Sequence, residues 1–163
     1  VMAVPSILSI GVIGTPGCGK TTLCEKLGIP TISIRDLAEI NGCLGEIDSE
    51  GSAEVDVEKL AKLWVKPSEL TLYDGHLAHH LPVDALIVMR CNPKELKSRL
   101  EARGYSSRKV QDNVEVEMLG GPWSELIGDS RPIYEGDSVL DWISQGCPQH
   151  TTPDSAIDWL SEP

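Results

Sequence analysis

A mostly parallel five-stranded sheet covered by helices on both faces and organised around a phosphate-binding loop is the fold the sequence predicts. Three observations predict it. The apolar run 7–13 leads straight into GTPGCGKT, Gly14 to Thr21, a full match to G-x-x-x-x-G-K-[ST]. Short β-branched runs alternate with amphipathic segments, the pattern of a parallel sheet packed between helices. The 163 residues are enough for one domain with a proper core and few for two. The expected architecture is a three-layer α/β P-loop NTPase, a single domain spanning 1–163.

The loop has a mechanism. Glycines let successive backbone N–H groups turn inward around a phosphate, and the following helix aims its positive end at the same anion. Lys20 is then the charge for the β- and γ-phosphates, Thr21 offers its hydroxyl to Mg²⁺, and Thr22 can donate to the α-phosphate. Gly14, Gly17, Cys18 and Gly19 complete the ATP-contacting loop, Cys18 at a variable position.

After a helix at 20–27, residues 31–34 read as a second strand. Asp36 and Glu39 have capping-box spacing at the start of a short helix. Residues 41–55, rich in Gly, Ser and acids without periodicity, read as a mobile insertion. A helix over 57–64 precedes a strand at 70–73, with Asp74 at its carboxyl end, and 85–89 is a buried strand. Asn92, Pro93 and Glu95 supply an N-cap, a first-turn proline and a capping-box acceptor for a helix running to Arg103 and stopped by Gly104. Val110, Val114 and Met118 repeat at four and specify another helix over 106–119. Residues 120–137 are Gly- and Pro-rich; within them Trp123 and Arg131 read as a packed tryptophan and a solvated arginine before partner contacts. The last strand is placed at 139–143, with 133–135 as its rival, and Thr152 and Pro153 start a terminal helix through 160.

Composition excludes several classes. No apolar run approaches the roughly 18 residues of a spanning helix, and the N-terminal apolar stretch lacks a basic flank, so the expectation is a soluble intracellular protein without a signal peptide. Five scattered cysteines without C-x-x-C spacing fit neither a disulfide framework nor a zinc site. A net charge of −11 disfavours direct RNA binding and suits a basic protein partner better. His79 and His80 stand side by side, but no Cys or carboxylate ligand set accompanies them in the sequence, which argues against zinc there.

In P-loop enzymes a carboxylate at the end of a second strand holds the Mg²⁺ hydration shell or the attacking group, and Asp74 in LYDGH has that context. GTPGCGKTT, the Asp74-Gly75-His76 turn, the segment RCNPKELKSRLEARGYSSRKV from Arg90 and the nearby DNVEVEML together resemble the adenylate kinase isoenzyme 6 family, over about 7–119. The resemblance implies a P-loop kinase core with a nucleoside-monophosphate-binding insertion at 33–56 and a short lid at 102–112. It implies both adenylate kinase and ATPase activity with ATP, AMP and Mg²⁺, and assistance to small-subunit ribosome maturation through a small-subunit ribosomal protein. Cytoplasmic location follows if the source is archaeal, nuclear if it is eukaryotic.

Lys20, Asp74, His76 and Arg103 are the catalytic candidates that this resemblance singles out, with Arg103 also approaching ATP when the lid shuts. Arg108 is a weaker candidate for the same task. Thr21 and Asp74 are the Mg²⁺ candidates, partly through water, and Arg35, Asp36 and His79 the monophosphate candidates. His76 can orient a water on the γ-phosphate or position the acceptor. The chain departs from ordinary adenylate kinases where an arginine would follow Asp74-Gly75, and Glu39 stands where some relatives carry arginine, leaving Arg35 as the nearest substitute. The alternatives are an ATPase that switches a protein partner, a small-molecule kinase, and a noncatalytic ATP-dependent scaffold.

Overall fold

A computed structural model describes residues 7–49 and 51–161. Strand β1 (Ser9–Gly14) is buried along its whole length and is followed by helix α1 (Lys20–Leu27). Then come β2 (Thr31–Ser33), α2 (Ile34–Ile40), the strands β3 (Leu44–Ile47) and β4 (Ala53–Val55), α3 (Val57–Leu63) and β5 (Thr71–Asp74). The chain continues with a single 3₁₀ turn at Ala78–His80, β6 (Ala85–Met89), α4 (Pro93–Ala102) and α5 (Ser107–Met118). A second 3₁₀ turn at Gly121–Glu125, β7 (Ile133–Tyr134), α6 (Val139–Ser144) and a third 3₁₀ turn at Pro153–Ser155 complete it.

The main sheet has the order β2-β5-β1-β6-β7, and every neighbouring pair is parallel. Strand alternation sends β1 side chains to two layers. Ile10 and Val12 pack with Cys24 of α1 and with Val139 and Trp142 of α6, whereas Ile13 packs with Ile34 and Ala38 of α2 and Leu60 of α3. A third cluster joins Cys18 to Leu96, Leu100 and Val110, fixing the α4–α5 pair against the phosphate loop. Each large side chain so buried contributes about 1.5–3 kcal/mol.

Local signals explain the elements that match expectation. Asn92 accepts from the Lys94 amide at 2.9 Å, and Pro93 follows in the first turn of α4; Ser106 accepts from the Lys109 amide at 3.2 Å and starts α5. Glu95 lies within 3.8 Å of Arg99 on the outer face of α4.

Four expectations are corrected. Helix α2 starts earlier than Asp36: Ser33 is its N-cap, accepting from the Asp36 amide at 3.0 Å. The insertion holds the antiparallel pair β3–β4, joined by cross-strand bonds that composition does not advertise because one face is exposed. The last sheet strand is the rival, Ile133–Tyr134, because its backbone continues the ladder on β6 (Leu86 opposite Ile133), while Val139 and Trp142 at i and i+3 bury one face of a helix. The terminal helix shrinks to the turn Pro153–Ser155, and its downstream residues turn back so that the Trp159 indole reaches Glu117.

Asp84 ties the start of β1 to the loop before β6. Its carboxylate accepts from the Leu8 and Ser9 amides at 2.9 and 3.1 Å and from Lys66 at 2.9 Å. Burial opposes its charge, but Lys66 and those amides outweigh burial and hold the carboxyl below its ordinary range. A depressed carboxyl stabilises the fold above its unfolded pKa and loses that contribution as pH falls through the folded value. Asp84→Ala is therefore expected to cost on the order of 2 kcal/mol near neutral pH. In urea unfolding the difference from the parent should narrow below about pH 4.

Candidate active site

The parallel strands β1, β5 and β6 all end on one edge of the sheet, where α/β folds place ligands. The phosphate loop leaves β1 there. Gly17 has φ +94°, and a Cβ on it would meet Leu96 at 2.9 Å and Leu100 at 3.0 Å, so only glycine lets the loop lie against α4. Gly19 is left-handed at φ +91° and precedes α1 with no side-chain cap. The first amides of α1 have no intrahelical acceptor and face an anion-binding position.

The Lys20 ammonium donates to the Gly14 and Thr15 carbonyls at 2.9 and 3.2 Å, which holds it over the loop. Desolvation pushes it below the usual lysine range; the Asp74 charge counters that and the Arg103 charge adds to it, so both groups lie within electrostatic reach. Thr21 donates to the Asp74 carboxylate at 2.9 Å, across 53 residues of sequence. A hydroxyl and a carboxylate so placed form an all-oxygen donor set that suits Mg²⁺. Thr22 is exposed in the first turn of α1.

Gly75 brings the next residue in. A Cβ there would lie 2.7 Å from Ile34, so the turn after β5 can approach α2 only as glycine. His76 follows, its imidazolium disfavoured first by desolvation and then by the Lys20 charge. A cleft of about 310 Å³ joins these pieces, lined by Thr21, Ser33, Arg35, Asp74, His76 and residues of the β3–β4 pair. The Arg35 guanidinium donates to the Gly51 carbonyl at 3.0 Å. Across the opening, Lys109 at the start of α5 donates to Ser52 at 3.0 Å, so the segment after α4 and the hairpin meet.

The fold thus gathers Lys20, Thr21, Asp74, His76 and Arg35 and leaves other candidates apart. Arg103 is the exposed residue ending α4, near enough to act on Lys20 through its charge. Asp36 is exposed on α2 and does not line the cleft. His79 is buried, with its Nε2 2.6 Å from a Glu125 oxygen, and is likewise not a lining residue. Arg131 is no solvated arginine: it pairs with Asp129 and donates to the His79 and Leu81 carbonyls. Trp123 is packed, donating to Glu135 at 2.9 Å.

Two residues behind the loop escape sequence reasoning. Glu117, fully buried on α5, accepts from Thr15 of the loop, from Arg90 and from the Trp159 indole, each at 2.8 Å. The Cys18 thiol lies 3.7 Å from the same carboxylate, and burial, then Glu117, pushes that thiol up. Arg99 donates to the Gly17 carbonyl at 3.2 Å from the exposed flank of α4. The sequence signal for Glu117 is its spacing, seven residues after Val110 and three after Val114 on the apolar face of α5; nothing local names the partners that satisfy its charge.

A family model described as AAA domain matches residues 10–120. Curated relatives named "Putative adenylate kinase" are similar over most of the chain. That of Pyrococcus furiosus is 38% identical over 167 residues, 92% of this chain and 90% of its own. Those of Pyrococcus abyssi and Methanococcus maripaludis are 39% and 42% identical, covering 80% and 78% of this chain and 74% and 78% of theirs. With a phosphate loop, a Thr21–Asp74 pair and this similarity in hand, the chain belongs to the AAA-domain family of P-loop proteins, within its adenylate kinase-like group.

Proposed function

We propose that the chain is a nucleoside monophosphate kinase of the adenylate kinase isoenzyme 6 type, converting ATP and AMP to two ADP, with slower transfer to water. The observation that carries this is the Thr21–Asp74 pair at 2.9 Å beside a cleft walled by Arg35 and the hairpin. The names of the relatives support AMP as acceptor.

In this reading the α1 amides and Lys20 hold the β- and γ-phosphates of ATP, and Thr21 and Asp74 hold Mg²⁺. When bound, Mg²⁺ offsets the charge of the phosphate oxygens. Residues 33–56 form the monophosphate-binding insertion and 102–112 the lid, whose closure brings Arg103 toward the transferring phosphoryl group as water leaves. Asp74 orients the acceptor, and His76 positions either the acceptor phosphate or a water. Among the described residues lining the cleft, Arg35 is the lysine or arginine that can receive the monophosphate. Transfer to either acceptor relies on positioning and charge neutralisation rather than covalent chemistry.

Incubation with Mg²⁺ and ATP, with and without AMP, followed by nucleotide separation tests the reading. AMP-dependent formation of two ADP for each ATP consumed is expected; slow ADP release indifferent to AMP would instead favour an ATPase switch. That second reading draws on a specific feature, the scarcity of cations where two anionic substrates must meet. Arg35→Ala is expected to raise the KM for AMP by about tenfold, the effect of about 1.4 kcal/mol. Hydrolysis without AMP should change little, and equal loss of both activities would remove Arg35 from the acceptor site.

The acidic balance and the resemblance support a further role in small-subunit ribosome maturation through a basic ribosomal protein. A pull-down at low salt, with and without ATP, tests it; no capture in either state would end the proposal.

A further inference from the structure

The sequence holds no carboxylate beside His79 and His80, but the fold supplies one. Glu125, 46 residues on, ends the second 3₁₀ turn with an oxygen 2.6 Å from His79 Nε2. One ligand atom from each of His79, His80 and Glu125 falls within 4.8 Å of the others. We propose that these three side chains form a binding site for a transition-metal ion of the Zn²⁺ class, separate from the Mg²⁺ position at Thr21 and Asp74.

The donor chemistry selects the ion. Two imidazoles and a carboxylate suit zinc, while Mg²⁺ demands oxygen ligands and octahedral geometry. Three protein ligands leave a fourth position open to water or another donor.

The frame is built for a fixed first ligand. The His79 side chain is only 4% exposed, and Arg131, clamped to Asp129, holds the His79 carbonyl at 2.8 Å. The buried Nδ1 of His79 has no hydrogen-bond partner among the described residues, so the ring's polar contact is its Nε2 with Glu125. Buried Trp123 and Leu126 flank Glu125 on either side and anchor its turn. The outer two ligands are free to adjust. Glu125 is 56% exposed and His80 is exposed, its ring centroid 4.2 Å from that of His79. Zinc bonds of about 2.0–2.1 Å in a tetrahedron place ligand atoms roughly 3.3 Å apart. Rotation of the His80 and Glu125 side chains can close that difference without moving the buried imidazole, and their exposure gives the ion its way in.

The location gives the site a consequence. Glu125 also lines a cavity of about 390 Å³ together with Gly14, Thr15, Pro16 and His76, so a bound ion stands at the border of the phosphate loop.

The test is competition of the metal-stripped full chain with a chromophoric zinc indicator, in excess Mg²⁺, paired with Co²⁺ spectroscopy. One Zn²⁺ per chain is expected, and the Co²⁺ form should show tetrahedral visible bands without thiolate charge transfer. His80→Ala and Glu125→Gln, both at exposed positions and checked for unchanged far-UV circular dichroism, should each weaken binding by more than the roughly 100-fold upper cost of losing an outer-shell partner. Zn²⁺ should raise the melting temperature of the parent and not that of His80→Ala. Affinity unchanged in both variants, a thiolate band in the Co²⁺ form, or displacement by millimolar Mg²⁺ would each overturn the site.

Discussion

Lys20→Ala is expected to lower ATP turnover by at least about a hundredfold, with the fold intact. The ammonium is held directly over the loop by the Gly14 and Thr15 carbonyls, and it stands within electrostatic reach of Asp74 in the Thr21–Asp74 pair. Its removal takes a positive charge from where negative charge must be stabilised during phosphoryl transfer, in a partly desolvated place where that charge counts for more than in water. Stability should move little, because the Thr15 carbonyl keeps the Cys18 amide as a donor at 3.1 Å and removing the ammonium also removes its desolvation cost. Single-turnover ADP formation with circular dichroism as the fold check decides it. Retained turnover in Lys20→Ala would sink the kinase assignment and every role placed around it.

Glu117→Ala is expected to be the most destabilising of the substitutions discussed, on the order of 3–5 kcal/mol. Arg90 and Glu117 are 2% and 0% exposed, their atoms 2.8 Å apart, and removing the carboxylate leaves a buried guanidinium with Glu135 as its remaining ion pair among the described residues. The Thr15 hydroxyl and Trp159 indole lose their acceptor in the same step. For a chain of this size the melting temperature should fall by about 10 °C or more. Glu117→Gln keeps the shape and two acceptor contacts and should lose less. If it folds, a raised KM for ATP with little change in stability would show that the carboxylate positions the phosphate loop through Thr15; equal stability of Glu117→Ala and the parent would refute the network's structural weight.

Cys18 shows how the loop depends on what lies behind it. Its place in GTPGCGKT is chemically variable in the motif, yet its side chain packs with Leu96, Leu100 and Val110 and meets Glu117. The glycines pull the loop toward α4, and α5 backs it with a carboxylate. The phosphate site therefore rests on helices from the far half of the chain.

The sequence by itself determined what is encoded within a few residues. The phosphate loop, the caps at Asn92 and Ser106 and the buried runs of β1 and β6 are local choices, made by backbone freedom, hydrogen-bonding side chains and periodicity. The place of Asp74 at the end of β5 was also legible, because the strand run from Leu70 stops there. Tertiary structure alone decided the rest. The short strand Ile133–Tyr134 exists because β6 offers it an edge, and the β3–β4 hairpin because two exposed strands bond each other. Glu117 turned inward because Arg90, Thr15 and Trp159 arrive from separate segments to satisfy it, and Glu125 reached His79 by the same route. A buried charge or a short strand is stable only with its distant partners in place, and the sequence around it carries no mark of who those partners are.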